Sequence, residues 1–164
     1  MTHDRGPVAQ ITSAWNTVHP DLDTTPMAVL GRVHRLSRLV AAEVETHFAA
    51  SGISRGDYDV LATLRRAGGP LTPGRLQEGL LLSSAGITGR LNRLERAGRV
   101  RRVPSPDDGR AVLVDLTPEG QALVDRLVHE DMERQGELLA RLSPSEQRTA
   151  VRLLQKLLDG VEPS

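Results

Sequence analysis

Seven arginines fall between residues 90 and 110, at 90, 93, 96, 99, 101, 102 and 110, against three acids, Glu95, Asp107 and Asp108. A guanidinium presents its N–H donors as a planar fork, which matches phosphate oxygens and the edge of guanine. Such a cluster is either a solvated charged surface or one that meets a polyanion. The same segment carries a second kind of chemistry. On a 3.6-residue wheel, Ile87, Leu91 and Leu94 fall on one side, and Ala85, Thr88, Gly89, Asn92 and Arg96 on the other. One side packs. The other is small enough for close approach, and its Thr, Asn and Arg side chains bond base edges and phosphates.

The element that must carry this face is a predicted helix of about 15 residues, capped by Ser83 or Ser84 and stopped by Gly98 in the left-handed conformation. Two β-prone runs follow, Val100 to Val103 and Ala111 to Leu116, joined by a Pro, Asp and Gly-rich turn that holds Arg110. A hairpin tip of this kind can lay an arginine into a minor groove. Upstream, Ser54 with Asp57 forms a capping box for a helix whose Tyr58, Val60, Leu61 and Leu64 point inward, ending at Ala67-Gly68-Gly69-Pro70. Thr72-Pro73 opens a short helix to Gly79. Two short helices and a tight turn make a helix-turn-helix, with the hairpin as its wing. The residues expected to meet DNA are Ser84, Ala85, Thr88, Gly89, Arg90, Asn92, Arg93 and Arg110.

The flanks read as helices in search of a partner. Residues 7–18 predict a short helix with Ile11, Trp15 and Val18 on one side, broken at His19-Pro20. Thr25 caps a long helix with Pro26 at its first position, running to about Ala50 with Leu30, Val33, Leu36, Leu39, Val40, Val44 and Phe48 as an apolar stripe. Thr117-Pro118 opens another to about Arg141, and Ser143 with Glu146 boxes the start of a last helix bearing Val151, Leu154, Leu157 and Leu158. The surplus apolar surface points to a homodimer. Two reading helices related by a twofold axis would recognise an inverted repeat with half-sites about 10 bp apart.

Composition sets the outer bounds. The chain of 164 residues has a formal net charge of zero, but the charge is unevenly placed. Residues 1–51 hold four bases and five acids, 52–114 eleven and six, and 115–164 six and ten. The positive excess lies in the proposed reader. There is no cysteine, hence no disulfide, thiol switch or cysteine-bound metal. No apolar run is long enough to span a membrane and the N-terminus lacks a signal-peptide core, so a cytoplasmic protein is expected. The histidines at 3, 19, 34, 47 and 129 show no metal-ligand spacing. Gly68-Gly69-Pro70 lacks the Gly-Lys-Ser/Thr of a phosphate loop, and no nucleophile motif is present. Asp57 and Asp59, two apart on a helix, point in different directions and make no acid/base pair. Neither an enzyme nor a cofactor is expected.

Asp108-Gly109-Arg110-Ala111-Val112-Leu113-Val114-Asp115-Leu116-Thr117 resembles the D-x-R-x-x-x-V-x-L-T wing signature of the MarR family of bacterial winged helix-turn-helix regulators. Residues 88–98 are similar to that family's recognition helix, and Thr117 to Gly120 to its entry into the next helix. The resemblance runs from residue 26 to 160. It implies a mainly α fold with a small β-hairpin wing: a dimeric winged helix-turn-helix with an added N-terminal helix. One domain would span 1–164, with 52–116 as the DNA-binding lobe and 1–51 and 117–164 as dimerisation helices.

Trp15, Asp59, Arg66 and Arg90 also resemble the set that surrounds an anionic purine in the urate-responsive branch of this family. The chemistry is coherent. Asp59 and Arg66 are seven apart and share a helix face, so Arg66 can pair with the anion while Asp59 accepts its ring N–H groups. Trp15 would stack over the ring. Arg90 lies about 70° off the buried stripe of its helix, so drawing it inward would shift the reader. The implied function is a ligand-responsive repressor binding double-stranded DNA as a homodimer. Two alternatives use the same surface: a winged-helix scaffold that binds a protein partner without sequence-specific DNA binding, and a small-molecule sensor acting through such a partner.

Overall fold

The computed structural model describes residues 6–80, 86–106 and 111–161. The chain divides into two compact units, one within residues 1–55 and one within 56–164.

The first unit is a helical pair. Helix α1 (Pro7–Val18) begins on proline and is followed by α2 (Thr25–Ala50). The side of α1 that packs is not its apolar stripe. Thr12 is buried, and Val8 lies against Gly31 of α2, 3.1 Å from where a Cβ there would stand. Thr12 tolerates burial because its hydroxyl donates back to the Val8 and Ala9 carbonyls. Ile11, Trp15 and Val18 are left exposed. At the start of α2 the cap differs from the expected one. Thr25 is already helical, and the Asp23 carboxylate accepts its N–H at 2.9 Å. Along α2, Leu30, Leu36 and Leu39 are exposed, whereas Val44 and Phe48 are buried.

The second unit contains α3 (Arg55–Ala67), α4 (Pro73–Glu78), α5 (Ile87–Arg96), an antiparallel hairpin of β1 (Val100–Pro104) and β2 (Val112–Leu116), α6 (Pro118–Leu139) and α7 (Pro144–Leu158). Three helix starts follow the sequence signals closely. Thr72 Oγ1 accepts from the Arg75 N–H, Thr117 Oγ1 from Gly120, and Ser143 with Glu146 forms a complete capping box. Val60, Leu61, Leu64, Leu76, Leu91, Leu94, Val100, Val114, Val124 and Leu127 form the buried core. Val100 faces Leu116 and Arg102 faces Val114 across the hairpin. Leu71, between Pro70 and the Thr72 cap, exchanges both backbone hydrogen bonds with Val114 at 2.8 and 2.9 Å. The loop before α4 is thereby stitched to the wing.

Helix α5 begins later than its sequence predicts. It holds 10 residues, and its N-cap is Gly86 rather than Ser83 or Ser84, which lie outside the described residues. Gly98 does stop it, with φ +68°, and the Arg99 N–H returns to the Leu94 carbonyl.

Candidate nucleic-acid interface

The wheel drawn for α5 matches its burial. Leu91 and Leu94 are each 2% exposed, while Thr88, Gly89, Asn92, Arg93 and Arg96 face outward and Arg90 is half-buried. A short outward face of small and polar side chains beside a hairpin is the surface expected of a groove reader. Ser84, Ala85 and the wing-tip Arg110, also expected there, lie outside the described residues, as does Asp108.

The arginine cluster is less uniform than its charge suggests. Arg93 donates to the Asp57 carboxylate at 2.9 Å, and Asp57 is buried. Arg101 on β1 donates from Nε and Nη2 to Asp115 across the hairpin. Arg102 donates to Glu95 and, at 2.7 Å, to Asn92 Oδ1. Arg96 Nε turns back to the Asn92 carbonyl at 3.1 Å. Much of the positive charge is thus spent internally, orienting α5 against α3 and the wing.

Of the four residues expected around a ligand, Asp59 and Arg66 lie on α3, and Arg90 reaches its first turn. Gly56, Asp59, Thr63 and Arg66 follow one flank of that helix. The Arg90 guanidinium lies against Gly56, where any Cβ would collide with it. Asp59 is half-buried one turn further on, and Arg66 Nη2 donates to Thr63 Oγ1 at 3.0 Å. Arg66 also lines an open cavity of about 460 Å³ with Thr63, Leu71, Arg75 and Glu78. Trp15, in the first unit, stacks on His19 with ring centroids 5.7 Å apart, beside a cavity of about 540 Å³ lined by Pro20 and Leu22.

Four contributors carry no local signal in the sequence. Asp57 was placed as a capping residue, and nothing local marks it as the acceptor for an arginine 36 positions away. Gly56 gave no signal at all, because its role is to be empty. Arg102 and Glu95 were counted as charge only. On the far side of α3, Arg65 and Asp125 pair at 2.7 Å; the hydrogen bond holds the Asp125 carboxyl below its ordinary range and raises Arg65. Among the described residues no cluster of His, Cys, Asp or Glu is arranged to hold a metal, and no helix is long and apolar enough to cross a membrane.

The fold and this surface define a winged helix-turn-helix module. Residues 51–111 match the sequence model of the MarR family. The chain is 38% identical over 149 residues to the HTH-type transcriptional regulator PecS of Dickeya dadantii, covering 90% of this chain and 89% of PecS. A mutant MarR from E. coli complexed with operator DNA superposes with a TM-score of 0.64 at 30% identity, covering 88% of this chain and 97% of that one. BpsR of Bordetella bronchiseptica, whose DNA binding is regulated by 6-hydroxynicotinic acid, gives 0.68 at 27% identity, covering 80% and 93%. The chain belongs to the MarR family of DNA-binding transcriptional regulators, on the branch represented by PecS. These relatives are regulators and not enzymes.

Proposed function

We propose that this regulator is a homodimeric repressor that reads an inverted-repeat operator and is released by a small anionic aromatic ligand such as urate. The observation that carries the reading is the outward face of α5, Thr88, Gly89, Asn92, Arg93 and Arg96, exposed beside the hairpin. Residues 52–116 form the DNA-binding lobe in this reading. Residues 1–51 and 117–164 supply the dimer contacts, which accords with the exposed leucines of α2 and α7. Ser84, Ala85, Thr88, Gly89, Asn92 and Arg110 would supply base and groove contacts, and Arg90 and Arg93 would bind phosphate.

Ligand release rests on the α3 flank. Arg90 reaches from the reading helix onto the first turn of α3, on the face that carries Asp59 and Arg66. An anion drawing Arg90 along that face would move α5, provided it binds the released form more tightly. The response of BpsR to an aromatic acid supports the ligand class.

The test is fluorescence anisotropy of the protein on its own upstream intergenic duplex against a scrambled duplex, with and without urate, at near-physiological salt. Preference for the intergenic duplex, lost on adding urate, is expected. Asp59→Asn and Trp15→Phe should weaken the urate response more than DNA binding. Equal losses in both would remove the ligand site, and no preference for any duplex would favour a protein-binding scaffold.

A further inference from the structure

Arg102 belongs by charge to the phosphate-seeking cluster, yet it turns inward onto the reading helix. Its Nη2 donates to Asn92 Oδ1 at 2.7 Å, and its Nη1 is held by the Glu95 carboxylate one turn further along the same helix. A guanidinium has donors only. The amide of Asn92 is therefore oriented by chemistry: its oxygen must face the wing, and its Nδ2 donors face the other way. The anchor is firm, because Arg102 stands opposite buried Val114 in the hairpin, and Val114 is itself bonded to Leu71.

This orientation limits what Asn92 can read. A free asparagine recognises adenine with both amide atoms, accepting from N6 and donating to N7. With its oxygen turned to the wing, Asn92 presents its Nδ2 donors on the other side. The major-groove edges that answer such a donor are those with an acceptor, guanine N7 and O6, thymine O4 or adenine N7, and the one that cannot is cytosine, which presents only a donor. We infer that Arg102 is a specificity-determining residue: from the wing strand it fixes the Asn92 amide so that Asn92 loses the two-point adenine contact of a free asparagine and reads its position as a donor that rejects cytosine. The inference rests on the proposal above that the outer face of α5 lies in the major groove.

The experiment is selection from a randomised duplex library with the full-length chain and its Asn92→Ala and Arg102→Met variants, thermal melting confirming that each folds. Arg102→Ala substitutes if the methionine variant does not fold. The wild type should disfavour cytosine by about tenfold at one position per half-site, with no preference for adenine over guanine or thymine. Asn92→Ala should flatten that position alone. Truncating Arg102 should flatten the same position or move it toward adenine, leaving the others intact. The inference is overturned if the Arg102 variant keeps the wild-type preference there, or if the wild type already prefers adenine. If Asn92→Ala alters no position, the inference falls while a selected motif still upholds sequence-specific binding. If no motif emerges, both fall.

Discussion

Helices α3 and α7 are similar in length, 13 and 15 residues, and both are amphipathic. Yet α3 buries seven of its residues, including Val60, Leu61 and Leu64, while α7 buries none: Val151 is 71% exposed and Leu154 46%. The difference teaches what periodicity means. An apolar stripe predicts that a face will be covered, without saying by which chain. Helix α7 is locally complete, with its capping box closed, and still leaves its apolar face exposed. The first half of α2 repeats the situation, and contiguous apolar exposure of this kind marks an association surface.

Four experiments would break or sharpen that contrast. Placing charge on α7 by Leu154→Glu with Leu157→Glu should leave the protein monomeric with its helix content nearly intact. In the homodimer proposed above, DNA affinity should fall by at least about 100-fold, since two linked half-site contacts would become one. Sedimentation equilibrium and anisotropy read both, and a surviving dimer would show that α7 is not the covered face. On α3, Leu61→Ala should cost about 2–5 kcal/mol in urea unfolding while the native protein keeps its oligomeric state. Gly56→Ala sets a methyl where the Arg90 guanidinium lies, and because that group is the free end of a flexible side chain the cost should stay below about 1 kcal/mol. Adding Arg90→Ala should recover most of that loss, and a double-mutant cycle without coupling would refute the contact.

The smallest effect is on the acid side. Hydrogen bonds from the Ser143 hydroxyl and backbone N–H hold Glu146 below its ordinary range, and Arg65 does the same for Asp125. A carboxylate depressed on folding contributes stability above its unfolded value and loses it as pH falls through its folded value. The melting temperature should therefore feel these pairs fully at neutral pH and lose them only below about pH 4. Ser143→Ala should shrink the Glu146 part of that acid loss. An unchanged profile would mean the box leaves Glu146 unaffected.

Local chemistry was the legible part of this molecule. Thr72, Thr117 and Ser143 announce helix starts because each satisfies N–H groups within three residues of itself, and Gly98 announces a stop for a similar reason. The elements and their order follow from such signals. What was hidden depends on distant partners: Asp57 on Arg93, Leu71 on Val114, Arg102 on Asn92. The packing side of α1 was hidden for another reason. Thr12 reads as polar, but its hydroxyl is satisfied inside its own helix, so it can sit in the buried face while Trp15 does not.

The joint between α5 and α6 carries one more consequence. Thr117 Oγ1 donates to the Gly98 carbonyl at 2.7 Å while accepting from Gly120, the Thr117 N–H bonds to Arg99, and Gly120 approaches that same Arg99 carbonyl too closely to admit a Cβ. One hydroxyl thus ties the turn that follows α5 to the start of α6. With 22 residues, α6 is a handle about 33 Å long fixed to a much shorter tool. A tilt that carries its far end about 3 Å turns the joint by only about 5°. Coarse movements at the remote end of α6 would reach α5 as fine adjustments of angle.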